Sequence, residues 1–319
     1  MIAKPHWTPQ GFDDWRRHFP ATPFARASGH LDRTGRFIDC WNLPRACLPR
    51  STVIVLVAGL YSEWLPRCHR DAATALRLAG YQVLRMPVRS SRGVMAQGAH
   101  IAATLEARLP GGQRFVALTH SKGGMDTLAA LMLDPALRQR CDGLALVQPP
   151  VGPASIVDDI LGWSATPPVG ATRWLDNIGR GLLRTPWVAD GTRDISSRRD
   201  PCVAPMLAHI PDDLHCVHAV SWSIERSSRF DAYHERLNAR RPGCAHDGQF
   251  YLEHQVLAGV PQVCLPRLDH GQPVLGGLGF DAGRFWLALA DLLHVSRPSR
   301  GQPAGASNEI DLEAGYARG

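Results

Sequence analysis

The sequence predicts an α/β fold, a mostly parallel central sheet with helices on both faces. Three observations lead there. Short, continuous apolar runs recur along the first half of the chain, as expected of strands buried on both faces. Helix-length segments with apolar residues on one face separate them. Gly and Pro stand at the joins. Strands alternating with helices of this length form βαβ units, and such units build a parallel sheet.

Val53 to Val57 is the first strand, all β-branched residues and Leu. Leu65 to Ala79 reads as a helix that Gly80 ends. Tyr81 to Met86 is a second strand, stopped by Pro87. Val94 to Leu109 is a helix with Val94, Ile101 and Leu105 on one face, broken by Pro110-Gly111-Gly112. Arg114 to Thr119 is a third strand, Lys122 to Leu133 a third helix, and Leu144 to Val147 a fourth strand. The alternation then lapses. Residues 152 to about 213 hold many Pro and Gly and read as a cap inserted over the sheet. Strand-like sequence returns at Leu214 to Trp222 and at Gln262 to Leu265. A last helix runs from Asp281, its N-cap, to His294, with Phe285, Leu289 and Leu292 on one face.

The 319 residues suffice for a core without disulfide or metal staples. Residues 1–50, rich in Pro, Trp and Arg, are expected as an arm packed on a main domain over 51–295. Residues 296–319 are expected as a mobile tail. The longest apolar run, Val53 to Leu60, falls far short of the ~20 residues of a membrane helix. The formal net charge of +6 comes mostly from scattered Arg, with no nucleic-acid motif beside it. The eight cysteines include no CxxC pair and are expected reduced. The first residues lack an apolar signal core, so a cytoplasmic protein is expected.

The chemically informative segment is Phe115-Val-Ala-Leu-Thr-His-Ser-Lys-Gly-Gly-Met-Asp126. A strand runs straight into Ser121 and a helix starts just after it. That is the setting of a nucleophile elbow, a sharp turn that needs small residues at 119 and 123. Gly123 fits, and Thr119 stands where Gly is usual. The same residues also fit an ordinary turn with Ser121 as N-cap.

THSKGGMD resembles the HSKGG-type elbow of bacterial α/β-hydrolases related to lipases and esterases. Val55-Leu-Val-Ala-Gly-Leu-Tyr61 resembles their first strand and oxyanion loop, with Ala58 where His is frequent. Val147-Gln-Pro-Pro-Val-Gly-Pro153 resembles their Pro-rich turn. The resemblance covers roughly residues 50 to 295. It implies a serine hydrolase acting on a carboxylic ester or thioester, a small or lipid-like acyl substrate, through an acyl-enzyme on Ser121. It also implies an oxyanion hole from the backbone N–H groups of Leu60 and Lys122. His270, in Leu-Asp-His270-Gly, resembles the family's catalytic His after the last strand. His246, His254 and His218 are the other candidates. Asp247, in His-Asp-Gly, resembles the family's acid, whose task is to hold the imidazole tautomer. Asp269 is expected to be structural, Asp126 to bond nearby loops, and Lys122 not to serve as a base.

Tyr61, beside the oxyanion loop, and Ile156, Ile160 and Trp163, in the insertion, are expected to line an acyl pocket. A second amphipathic stretch carries Trp174, Ile178, Leu182 and Leu183. No organic cofactor and no metal are expected. Two other readings stay open. One is an acyltransferase or thioesterase with an acyl-carrier partner. The other is a non-catalytic binding protein on the same fold.

Overall fold

The computed structural model describes residues 7–10, 15–24, 26–27, 29–89, 91–164, 181, 185, 189–224, 233–277 and 279–297. Six strands form one sheet: β1 Val53–Val57, β2 Gln82–Arg85, β3 Phe115–His120, β4 Cys141–Val147, β5 Cys216–Ser221 and β6 Gln262–Leu265. Their order is β2-β1-β3-β4-β5-β6, and every neighbouring pair is parallel. The five longest helices among the described residues are α1 Thr34–Asn42, α2 Arg70–Leu78, α3 Val94–Arg108, α4 Lys122–Leu133 and α5 Ala282–Val295.

The alternation of side chains along each strand divides the core in two. Ile54, Leu56, Val116, Leu118, Val263 and Leu265 point to one face, where α1, α2 and α5 pack. Val53, Val55, Val57, Phe115, Ala117 and Leu146 point to the other, against α3 and α4. Strands β1, β3, β4, β5 and β6 are buried along their whole length. This is why they carry runs of apolar residues rather than alternating ones. Strand β2 lies at the edge, and its ends Gln82 and Arg85 are exposed.

Helices α3 and α4 approach closely because position 98 is Gly. A Cβ there would fall 2.7 Å from the Ala129 Cβ and 2.9 Å from the Ala130 nitrogen. Helix α4 is in turn buried along almost its full length. Helix α5 starts at Asp281, whose side chain accepts from the Arg284 N–H at 2.9 Å.

Two differences from the sequence reading stand out. Helix α1 lies in a stretch whose periodicity looked weak. Its buried residues Thr34, Phe37 and Trp41 do share a face, and Trp41 packs edge-on to Trp7 with ring centroids 4.9 Å apart. Their spacing covers barely two turns, too short to rise above the surrounding Pro and Arg. The helix expected from Leu65 begins only at Arg70, after turns through Cys68 and a left-handed His69.

Several histidines are built in as neutral groups. His218 is fully buried in β5: Nδ1 lies 3.2 Å from the Pro261 carbonyl, while Nε2 accepts from the Leu257 N–H at 3.3 Å. Only the uncharged ring satisfies both. Burial pushes its pKa down to about 4, and those of His69 and His246 down to about 3. In the unfolded chain each titrates near 6.5. The stability they contribute is thus present above pH 6.5 and lost as pH falls from there toward 4. Each group then costs about 1.4 kcal/mol per pH unit. Urea unfolding at pH 7.5 and at pH 5 is expected to show a large loss of stability in acid, smaller in His218→Gln. A flat profile across that range would contradict the neutral assignments.

Candidate active site

Strand β3 delivers Ser121 to the carboxyl edge of the sheet, and α4 leaves from it. Ser121 has φ 55° and ψ −135°, an unfavourable conformation for a residue with a side chain. Its N–H donates to the Val147 carbonyl at 2.8 Å, and its carbonyl accepts from the Gly124 N–H at 2.9 Å. The turn is possible because two glycines let backbone come close. A Cβ at Gly123 would strike the Ala58 carbonyl and lie 2.8 Å from the Val57 oxygen. A Cβ at Gly59 would lie 2.8 Å from the Ser121 Cβ. Thr119 fits because its hydroxyl donates to the Ala145 carbonyl at 2.7 Å and Gly124 leaves the space beside it. Ser121 makes no side-chain capping bond to α4, so an ordinary N-cap does not describe it.

Its Oγ instead lies 2.9 Å from Nε2 of His270. The other ring nitrogen, Nδ1, lies 2.7 Å from Oδ2 of Asp247. Asp247 is fully buried, and its Oδ1 accepts from the N–H groups of Gln249 at 2.9 Å and Phe250 at 2.8 Å. The buried carboxylate is thus surrounded by donors. It holds the proton of His270 on Nδ1, which leaves Nε2 free to accept from the serine. The His270 N–H also donates to the Asp247 carbonyl at 2.8 Å, tying the two loops together.

The remaining candidates are engaged elsewhere. Asp269 turns the loop: its Oδ1 accepts from the N–H groups of Gly271 at 2.7 Å and Gln272 at 2.8 Å. His246 contacts Asn238, and His254 contacts the Pro153 carbonyl. Lys122 is buried, and its Nζ donates to Asp126 Oδ1 at 2.6 Å. Asp126 thus bonds its own helix neighbour rather than a nearby loop, a pairing that the i,i+4 spacing could have revealed. Burial, opposed by Lys122 and helped by Asp194, pushes the Asp126 carboxyl up to about 6.

A cavity of about 380 Å³ opens over Ser121 and His270. Leu60, Tyr61, Ile156 and Ile160 line it, with Ile195 and Phe250. No Lys or Arg is in its described lining. Trp163 does not line it. It packs against the cluster of Ala154, Val157, Leu161, Ile195 and Phe250, and the Arg198 guanidinium lies over its ring at 4.9 Å. The helix Ser155–Leu161 ends at Gly162, whose left-handed turn takes Trp163 out of the helix's periodicity. Trp174, Ile178, Leu182 and Leu183 lie outside the described residues. Cys68 also borders the cavity, but burial pushes its thiol up to about 11, so it remains protonated. Among the described residues, the N–H groups of Leu60 and Lys122 donate to no backbone carbonyl. No described cluster of three or more His, Cys, Asp or Glu is placed to hold a metal. No helix of the described residues is long and apolar enough to cross a membrane.

No family model and no curated protein matches the sequence. Solved structures do match. The metagenomic carboxyl esterase MGS0156 is similar with a TM-score of 0.61 at 18% identity, over 78% of this chain and 77% of that one. Bacillus licheniformis lipase BlEst2 in mature form gives 0.52 at 19% identity, over 79% and 94%. Phospholipase PlaB from Legionella pneumophila gives 0.51 at 13% identity, over 77% and 61%. The chain therefore has the α/β-hydrolase fold, with a six-stranded parallel sheet.

The buried ion pair beside Ser121 can be tested on its own. Lys122→Met strands the Asp126 carboxylate and is expected to cost about 3–5 kcal/mol at pH 8. Adding Asp126→Leu should recover most of that loss in urea unfolding. Equal losses in the single and double variants would contradict the pairing.

Proposed function

We propose that this protein is a serine hydrolase that cleaves a neutral carboxylic ester or thioester through an acyl-enzyme. The observation that carries this reading is the continuous relay from Ser121 Oγ through His270 to Asp247, with contacts of 2.9 and 2.7 Å.

A hydroxyl is a weak nucleophile until a base takes its proton. His270 Nε2 removes the proton as Ser121 Oγ attacks the acyl carbon. Asp247 stabilises the imidazolium that results and does not itself take a proton. The carbonyl oxygen becomes an oxyanion. The N–H groups of Leu60 and Lys122, unused by other backbone carbonyls, are the donors assigned to it, and the amino end of α4 adds its dipole. His270 passes its proton to the departing alcohol or thiol. Water then enters, gives a proton to His270, and attacks the acyl-enzyme, and Ser121 recovers its proton as the acid leaves. The cavity favours an apolar acyl group, because its described lining offers hydrocarbon and no cation to hold an anionic chain.

Covalent labelling with a fluorophosphonate, mapped by mass spectrometry, tests the reading. The label is expected on Ser121 and absent from Ser121→Ala. His270→Ala should slow labelling and p-nitrophenyl butyrate hydrolysis by at least about 1,000-fold. A folded wild-type protein that takes no label would favour a binding protein instead.

A further inference from the structure

A second set of polar side chains lies beneath the relay. His120, the last residue of β3, places Nε2 2.8 Å from the His270 carbonyl oxygen and 3.0 Å from Gln148 Oε1. Both partners only accept, so this nitrogen carries a hydrogen. Gln148 follows β4, is fully buried and has φ 50°. Its amide nitrogen donates to the Asp269 carbonyl at 3.0 Å and to Ser221 Oγ at 2.5 Å. Ser221, the last residue of β5, exchanges two bonds with Gln255: its N–H donates to Oε1 at 2.9 Å, and its carbonyl accepts from Nε2 at 3.0 Å. Gln255 Nε2 also reaches the Phe250 carbonyl at 3.4 Å. Phe250 is one of the residues whose N–H holds Asp247.

One chain of side chains therefore crosses the carboxyl ends of β3, β4 and β5 and grips both loops that carry the relay. We propose that His120 and Gln148 are positioning residues, which hold the backbone of His270 and Asp269 so that the imidazole bridges Ser121 and Asp247. The proposal rests on the hydrolase reading. Gln148 is kept at a strained left-handed φ, and all of its side-chain amide is spent on this contact set. Rigidity matters here because an attacking geometry displaced by about 1 Å costs roughly 100-fold in rate.

The chemistry of His120 also suits the place. Its ring centroid is 4.7 Å from that of His270. A cation there would oppose formation of the imidazolium. Burial, with His270 and His69 close by, holds the pKa of His120 well below its usual value, so it stays neutral. Lys122 and Asp126, buried in the following helix, pair with each other. The side chain thus supplies a donor without a charge.

The test compares the full-length wild type with His120→Leu, which removes the donor, His120→Gln, which restores an N–H, and Gln148→Met. Fluorophosphonate labelling, steady-state kinetics over pH and amide hydrogen exchange are measured on each. His120→Leu should lower kcat by about 30- to 100-fold with KM changed less than about threefold, and His120→Gln should recover to within about fivefold. The low-pH limb of kcat/KM should move in His120→Leu, as the contact of His270 with Asp247 loosens, and not in His120→Gln. Gln148→Met should resemble His120→Leu. Wild-type rates in His120→Leu, or equal loss in His120→Leu and His120→Gln, would overturn the proposal. A wild type that takes no label contradicts the hydrolase reading instead. Exchange at the His270 amide then decides the positioning role: about tenfold acceleration in His120→Leu supports it, and no change overturns it.

Discussion

The turn at Ser121 is the constraint on which the rest of the site depends. A residue with a side chain sits at φ 55°, between a buried strand and a buried helix. Such a conformation costs of order 1–3 kcal/mol and persists only where the surroundings over-determine it. They do so here. Strand β3 lies inside the sheet, between β1 and β4. Helix α4 is locked from outside by α3 through Gly98, and it approaches β1 through Gly123. Gly59 brings the loop after β1 against the serine itself. The strain thus points the hydroxyl out of the sheet, toward His270.

Topology then brings the partners to that spot. In a parallel sheet all carboxyl ends lie on one edge, and ligand sites form there. Asp247 lies beyond β5 and His270 beyond β6, so both loops emerge on the edge where β3 ends. The electrostatics follow the same economy. Asp247 is surrounded by donors. Lys122 and Asp126 cancel each other in the core. The buried histidines stay neutral because no charged form could be solvated there. His270, bridged between Ser121 and Asp247, lines the cavity together with the neutral His120.

Much of this was legible in the sequence. The βα alternation and the apolar runs marked the parallel sheet, since doubly buried strands tolerate little else. The small residues around Ser121 marked the elbow, because only glycine permits such close backbone approach. The resemblance then singled out His270 and Asp247, which spacing alone could not separate from the other histidines and acids. What escaped was whatever depends on where a side chain points after the chain has folded. Trp163 follows a left-handed turn at Gly162 that takes it out of the helix's periodicity, and it is not in the cavity lining. Ile195 and Phe250 border the cavity only because distant loops converge. Asp126 had a partner four residues back. His120 and Gln148 act through backbone carbonyls 150 and 121 residues away, a relation that no local pattern encodes.

The central claim is a preorganised acyl-transfer site, and a crystal structure of the phosphonylated protein tests it most directly. Phosphorus is expected on Ser121 Oγ, with the phosphoryl oxygen within about 3 Å of the amide nitrogens of both Leu60 and Lys122. His270 should still bridge toward Asp247, with the alkyl chain between Ile156 and Ile160. A phosphonate on another residue, or an oxygen turned away from both amides, would contradict it.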